Sequence, residues 1–195
     1  MSAWVEPPTL SGEHVTLRPL TRDDAPALVE VLAPLAGQFT TGIPTSPDDG
    51  WFARIWAETA AHRTMAFATI DPEGAIVGTT RFMRMAEGHR RVEVGGTIYA
   101  PHVQRTGLNT EAKRMLLAHA FDTLGCHVVQ LRTDWLNHRS RVAIERLGAK
   151  LDGVLRGHLV MADGHIRDSV VYSIIASEWP GVRANLDDRL ARYKE

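Results

Sequence analysis

Residues 93–111 read Glu-Val-Gly-Gly-Thr-Ile-Tyr-Ala-Pro-His-Val-Gln-Arg-Thr-Gly-Leu-Asn-Thr-Glu, and this stretch decides the fold. A run rich in strand-forming residues enters a short polar loop that contains Gly107, and a run of helix-forming residues leaves it. This order turns unpaired backbone N–H groups toward one point, where the helix dipole is also positive. The stretch therefore predicts a phosphate-binding site above residue 107.

The gross properties of the 195-residue chain predict one soluble domain, residues 1–195. An apolar fraction of 44% and a charged fraction of 23% are typical of globular proteins. A net charge of −1 argues against a nucleic-acid binder that relies on bulk positive charge. The single cysteine, Cys126, cannot form an internal disulfide, which fits a reducing compartment. With no secretion signal and no bilayer-spanning apolar run, we expect a cytoplasmic protein that does not bind membranes.

The first third of the sequence predicts an edge strand and two helices. Residues 14–18 alternate weakly, Thr21 and Asp24 match a capping box, and Ser46 opens a Ser-Pro-Asp-Asp helix-start pattern. The inward faces of these helices are predicted to carry Leu28, Val31, Leu32, Leu35, Phe52, Ile55 and Trp56.

The rest of the sequence predicts alternating strands and helices. Asp163-Gly164 is a strong hairpin signal between the last two strands. The predicted strands span residues 65–70, 75–85, 91–99, 127–133, 151–161 and 166–175, and the predicted helices span 110–124, 137–147 and a segment that begins at 177. The fold class is therefore α+β (a three-layer α/β domain), a mixed sheet with helices on its faces.

Residues 104–109, Gln-Arg-Thr-Gly-Leu-Asn, can be compared with three known patterns of phosphate-binding loop. A P-loop needs a lysine after its glycines, and a dinucleotide fingerprint needs three glycines, so neither fits. The coenzyme A pyrophosphate pattern, Gln/Arg-x-x-Gly-x-Gly/Ala, matches except at Asn109. A plain strand-to-helix turn stays the alternative.

Further motifs give this loop a context. With them, the chain resembles the GNAT superfamily of N-acetyltransferases, in the branch typified by the ribosomal-protein alanine acetyltransferases (RimL-like). The resemblance runs from Glu13 to about Leu190. The motifs that carry it are Glu93-Val94-Gly95, residues 107–113, Asn137-His138-Arg139-Ser140, Leu147-Gly148-Ala149, Gly153-Val154-Leu155-Arg156, Asp163-Gly164, Arg167-Asp168 and Glu178-Trp179.

The resemblance implies the GNAT fold, a mixed sheet of about seven strands splayed between the fourth and fifth, with helices on both faces. It implies an acyl-CoA donor whose pantetheine lies in the splay and whose pyrophosphate meets the loop amides. For Asn137 and Ser140, a role in capping the following helix is compatible with a ligand role. The residues implied to bind the cofactor are Ile98, Tyr99, Gln104, Arg105, Thr106, Gly107, Leu108, Asn109, Thr110, Asn137 and Ser140.

The implied chemistry is attack of an amine on a thioester. A thiolate leaves readily because a thiol pKa is about 8.5, so catalysis must mainly deprotonate the amine. Glu93 is the candidate base, and a structural carboxylate that pairs with an arginine is the alternative. Many GNAT enzymes use a Tyr as the acid at the position of Ile144, so Ser140 or water must replace it. An α-amine, with a pKa of about 7.7 to 8.0, needs less help from a base than a lysine side chain, with a pKa of about 10.4.

The acceptor side is the least determined. Trp51 and His158 are candidate acceptor contacts, each with ordinary packing as the alternative, and no metal site is predicted. The arginines at 81, 84, 90 and 91 form a solvated face, or attract an acidic acceptor or a succinyl donor.

We therefore expect acetyl transfer from acetyl-CoA to a primary amine in a ternary complex, with no nucleic-acid partner. A transferase that uses another acyl-CoA, such as succinyl-CoA, and a non-catalytic acyl-CoA-binding regulator are the alternatives. The sequence does not name the amine acceptor. A homodimer through the terminal helix or an edge strand is compatible with it.

Overall fold

A computed structural model describes residues 2–37, 42–161 and 163–193. Within these residues, eight strands form one mixed sheet in the spatial order β1-β2-β3-β4-β5-β6-β8-β7. Neighbouring strands are antiparallel except β5 and β6, which are parallel. In chain order the strands are β1 (Leu10–Ser11), β2 (Thr16–Pro19), β3 (Met65–Ile70), β4 (Ile76–Ala86), β5 (Arg91–Tyr99), β6 (Val128–Asp134), β7 (Lys150–Val160) and β8 (Ile166–Ile175).

Helices cover both faces of this sheet. The described α-helices are α1 (Ala25–Leu32), α2 (Gly50–Ala60), α3 (Gly107–Ala118), α4 (His138–Glu145) and α5 (Trp179–Ala191). A larger apolar core joins the sheet to α3, α4 and α5, and a smaller one joins it to α1 and α2. The predicted three-layer arrangement is confirmed.

The sheet parts between β5 and β6. Their pairing is confined to residues 91–93 of β5 and 128–130 of β6, and it ends at Glu93 opposite Gln130. Residues 94–99 of β5 pair only with β4 on their other side. The predicted splay is therefore confirmed, although it lies between β5 and β6 because the short strand β1 precedes the strands that the sequence analysis counted.

Two predictions in the first third of the chain were wrong. The strand near residues 14–18 is β2, which is not an edge because β1 pairs with it. The cap of α2 is Asp49 rather than Ser46, since the Asp49 carboxylate accepts from the N–H groups of Trp51 and Phe52 at 2.9 and 3.3 Å.

The next helix, α3, begins at Gly107 rather than residue 110 and ends in a π-helical turn, His119–Thr123. By contrast, the Thr21–Asp24 capping box is present and opens the turn before α1. Gly164 adopts the left-handed conformation, with a φ of 83°, in the hairpin between β7 and β8.

Candidate active site

The loop between β5 and α3 presents a helix N-terminus to the parted strands. Thr106 is the N-cap of α3, and its hydroxyl accepts from the Leu108 N–H at 3.3 Å and donates to the Val103 carbonyl at 2.8 Å. The N–H groups of the first helical turn have no intrahelical acceptor. Arg105, just before the cap, is exposed and left-handed, with a φ of 66°. A non-glycine residue held in this region marks a constrained loop.

Gly107 is required for close packing rather than for a positive φ. A Cβ at this position would lie 2.9 Å from Cδ2 of His14. The same N-terminal segment is held by Glu111 of α3, whose carboxylate accepts from the N–H groups of Glu13, His14 and Val15 at 2.9, 2.6 and 3.0 Å. The phosphate loop and the turn before β2 therefore form one packed unit.

The mouth of the parted sheet is bridged by a side chain of the loop. Gln104 Nε2 donates to the Tyr99 carbonyl at 2.9 Å, and Gln104 Oε1 accepts from Arg139 in the first turn of α4. Asn137 caps the same helix by accepting from the Ser140 N–H at 3.0 Å. The predicted capping role of Asn137 is confirmed, and its contact with a ligand stays a prediction.

The loop also carries a buried acceptor without a partner. Asn109 Oδ1 is buried and has no hydrogen-bond partner within the described residues. Leu108 and Thr110, on either side of it, are buried as well. An orphan acceptor at a helix N-terminus leaves a hydrogen bond for a ligand to make.

The predicted strand residues of the cleft lie in opposite cores. Ile98 packs in the smaller core and Tyr99 in the larger one. Burial raises the pKa of the Tyr99 phenol, so this hydroxyl stays protonated. The groups of this strand that can meet a ligand are therefore backbone N–H and C=O groups. They belong to the edge of residues 94–99 that points away from β4, which β6 does not pair.

Glu93 lies where β5 and β6 separate, and two arginines hold it. Its Oε2 lies 2.5 Å from Arg84 Nη1 and 3.3 Å from Arg132 Nε. The glutamate is 4% exposed. Within the described residues its Oε1 accepts no hydrogen bond, and it lies 3.4 Å from where a Cβ on Gly95 would stand. One carboxylate oxygen is thus engaged and the other faces the bare segment of β5.

The predicted acceptor residue His158 belongs to a polar cluster beside Glu93. Its Nδ1 lies 2.9 Å from Ser169 Oγ, which also accepts from Arg167 Nε at 3.1 Å. Burial, and then the charges of Arg132, Arg84 and Arg167, lower the pKa of His158, while Glu93 partly opposes them. His158 is therefore neutral and hydrogen-bonded to β8 near neutral pH.

The other predicted acceptor residue, Trp51 of α2, reaches the cleft through Arg81 of β4. The Arg81 guanidinium carbon lies 5.1 Å from the Trp51 ring centroid, a cation–π contact. Burial lowers the pKa of Arg81 to about 10. Gly96 of β5 has a φ of 56°, and a Cβ there would collide with Arg81 Nε. The glycine thus lets Arg81 lie against the bare segment of β5.

Sequence reasoning missed two buried groups. Lys113 of α3 donates to Thr97 at 2.5 Å and to Thr80 at 3.3 Å, and burial lowers its pKa to about 7. Asp134 lies 3.2 Å from His165 Nε2 at the end of β6. The burial of Lys113 could have been predicted, because this lysine lies one helical turn before the buried Leu116 and Leu117 and so on the same face of the helix. The contact between Asp134 and His165 could not have been predicted from a local pattern, since 31 residues separate them.

The structure also locates Ile144, Ser140 and Cys126. Ile144 is 7% exposed in the larger core, so this position supplies no tyrosine acid. The Ser140 hydroxyl has no hydrogen-bond partner within the described ranges. Burial raises the pKa of the Cys126 thiol to about 12, which makes it a poor nucleophile. Across the described parts of the chain, no cluster of three metal-ligating side chains occurs. No described helix has the length and apolarity to cross a membrane.

Comparisons with known proteins give this chain a family. A family model described as "Acetyltransferase (GNAT) domain" matches residues 14–150. The chain belongs to the GNAT family of acetyltransferases.

Individual relatives agree with this assignment of an acetyltransferase. A Bacillus subtilis protein provisionally named ribosomal N-acetyltransferase YdaF is 28% identical over 177 residues, which cover 87% of this chain and 96% of that protein. A crystal structure from T. thermophilus, provisionally described as an acetyltransferase, has 34% identity and a TM-score of 0.84, and covers 96% of this chain and 99% of that one.

A third comparison concerns the fold alone. Mycobacterium smegmatis RimJ, solved in complex with CoA-disulfide, has 22% identity and a TM-score of 0.80 over 97% of both chains. The names of these relatives are consistent with the RimL-like resemblance. The enzyme is thus an acetyltransferase of a family that uses acyl-CoA, and a non-catalytic regulator is not supported.

Proposed function

We propose that this acetyltransferase moves an acetyl group from acetyl-CoA to a primary amine by direct attack in a ternary complex. The observation that carries the proposal is the bare edge of residues 94–99 opposite β6, which a short loop tied back to the Tyr99 carbonyl joins to the N-terminus of α3. A pantetheine arm has amides that can pair with such an edge, much as a peptide adds a strand to a sheet. A diphosphate is the group that a helix N-terminus binds best.

The loop residues fit this coenzyme. We infer that backbone N–H groups of residues 105–109 meet the pyrophosphate, with Arg105 adding positive charge. Gln104 and Thr106 fix the loop that presents these N–H groups. Asn137 and Ser140 flank the arm from α4.

The proposed reaction forms one C–N bond and breaks one C–S bond. The amine nitrogen attacks the thioester carbonyl carbon, and the thiolate of CoA leaves. The free Oε1 of Glu93 takes the amine proton through a water molecule, and the Ser140 hydroxyl or solvent returns a proton to the thiolate. The charge pairing at Oε2 holds the carboxylate in place without occupying Oε1.

The acceptor class that we would test first is an N-terminal α-amine. Its pKa of about 7.7 to 8.0 leaves an appreciable neutral fraction at about pH 7.5. A lysine side chain, with a pKa of about 10.4, is almost wholly charged at that pH. The name of the YdaF relative points in the same direction. A cytoplasmic location and a homodimer are parts of the same proposal that await fractionation and sedimentation.

The decisive experiment combines binding and turnover. Isothermal titration should give micromolar binding of acetyl-CoA, and thiol release should follow when short peptides with differing first residues are added. Small-molecule amines such as polyamines and amino acids belong in the same screen. No binding at millimolar acetyl-CoA would end the proposal, as would binding without turnover across the whole acceptor panel.

A further inference from the structure

Two arginines near the parted strands lack a carboxylate partner, the buried Arg167 and the half-buried Arg81. Arg167 of β8 is 7% exposed, and its Nε donates a hydrogen bond to Ser169. Within the described residues, no carboxylate lies within 4.0 Å of Arg167 or of Arg81. The Nε of Arg81 is buried and has no hydrogen-bond partner there.

The surrounding charges do not neutralise Arg167. The face beside Glu93, here called the acceptor face, holds three arginines, Arg84, Arg132 and Arg167, against two acids, Glu93 and Asp134. Arg81 lies apart from it, over the Trp51 ring. Glu93 is already shared by Arg84 and Arg132, and Asp134 lies against His165. With His158 neutral, the face keeps a formal excess of one positive charge (three minus two).

A guanidinium that is removed from water without a counter-charge costs several kcal/mol. Its planar fork of donors matches a carboxylate in two parallel hydrogen bonds. Arg167 keeps both Nη atoms unengaged by the described residues while Nε is fixed by Ser169, so the fork is oriented before any ligand arrives. This arrangement suits an anion that is bound transiently.

We propose that this face binds a carboxylate that one of the two substrates carries, with Arg167 as the main contact. The inference rests on the acyl transfer of the proposed function, whichever acyl group is moved, because it places the carboxylate beside Glu93, where the strands part and the amine would meet the thioester. The carboxylate belongs either to the acceptor, as in a peptide that begins with Asp or Glu, or to the acyl group, as in succinyl-CoA. In both cases the arginine binds a carboxylate.

The first arm of the test varies the acceptor with acetyl-CoA as the donor. Peptides that begin with Asp or Glu are compared with the matched Asn or Gln peptides, and kcat/KM is measured for each. We expect the acidic peptide to be favoured at least tenfold, about the effect of one hydrogen bond to a charged group. In Arg167→Gln this ratio should fall to near one.

The second arm varies the donor with a neutral acceptor. If the acyl group carries the carboxylate, succinyl-CoA is favoured over acetyl-CoA at least tenfold in the parent enzyme, and Arg167→Gln reverses this preference. Arg156→Gln is the matched control, because Arg156 is an exposed arginine of β7 outside the cluster, and it should keep the parent ratio in both arms.

Ratios of kcat/KM are insensitive to partial loss of folded enzyme. Should Arg167→Gln not fold, Arg84→Gln, whose side chain is 46% exposed, replaces it with the same expected direction. Turnover with no preference for a carboxylate in either arm overturns this inference and leaves the proposed function standing. Failure of acetyl-CoA to bind would instead overturn the proposed function.

Discussion

At the scale of single residues, the site is defined by charges in unusual surroundings. Lys113 lies in the larger core with two threonine hydroxyls as its partners, and Glu93 is shared by two arginines. Neither environment follows from the residue's neighbours in sequence. A lysine on a helix and a glutamate on a strand are ordinarily solvated, and only the fold brings the threonines and arginines to them.

Lys113 makes stability depend on pH. Burial lowers its folded pKa to about 7, whereas the unfolded lysine keeps its proton to about pH 10.4. Between these values the unfolded chain binds more protons, so the free energy of unfolding rises with pH, by at most about 1.4 kcal/mol per unit.

Lys113→Met should therefore raise stability at pH 7 and flatten this slope in denaturant titrations from about pH 7 to about 9.5. Thr80 and Thr97 remain bonded to each other at 2.8 Å, so the substitution strands neither hydroxyl. Lys150→Met, which removes a lysine with a 76% exposed side chain, is the control and should keep the slope. An equal slope in the parent and in Lys113→Met would refute the assignment.

Glu93→Gln tests the proposed base. We expect kcat to fall about 100-fold, the lower end of the range for general base catalysis, with the Kd for acetyl-CoA little changed. The loss should shrink as pH rises, because more of the acceptor amine is then neutral without help. Arg84→Gln breaks the same ion pair but keeps the carboxylate, so its kcat should retain the parent pH profile. A pH-independent loss in Glu93→Gln would indicate a purely structural carboxylate.

At the scale of helices and strands, short sequence motifs correctly predicted the helix caps and the turn that depend on nearby residues. The Thr21–Asp24 box, the Asn137 cap and the hairpin at Gly164 depend on bonds within a few residues, and each is present. The start of α3 was misplaced because Gly107 reads as a loop residue. Its real constraint is the ring of His14, which no local pattern reveals.

That constraint predicts a coupled pair of substitutions. Gly107→Ala places a Cβ 2.9 Å from the His14 ring and should cost about 1 to 3 kcal/mol, the usual range for overpacking. The double variant with His14→Ala should recover much of this cost, giving a coupling energy of at least about 0.5 kcal/mol. Denaturant unfolding of all four proteins measures it, and strictly additive effects would contradict the contact.

At the scale of the whole molecule, the sequence predicted the strands and the family resemblance implied the splay, but neither predicted which charged side chains meet beside Glu93. Arg84, Arg132, His158 and Arg167 come from four different strands, and their meeting depends on strand order and register. A one-residue slip of register would turn such a side chain to the opposite face. The sequence analysis therefore named Glu93 as the candidate base and Arg84 in a run that is solvated or attracts an acidic group, whereas it did not predict that Arg132 and Arg167 join them.

The parted sheet predicts how hydrogen exchange responds to the coenzyme. Addition of acetyl-CoA should slow exchange of amides in residues 94–99 and 105–109, because these N–H groups gain acceptors or lose solvent. Amides of β7 and β8, which pair with each other along most of their lengths, serve as the internal control and should change little. Uniform slowing across the sheet would point to global stabilisation by ligand rather than to a bound arm in the cleft.

The carboxylate of Glu111 has a consequence for how the chain matures on the ribosome. Its three acceptor bonds fix the backbone at Glu13, His14 and Val15, yet 96 to 98 residues separate the partners. The turn ahead of β2 therefore cannot gain these three bonds until more than half of the polypeptide has been made and α3 has left the ribosome. Nascent chains that keep residue 111 inside the exit tunnel should leave this turn open to proteases, and chains long enough to expose the whole of α3 should shield it.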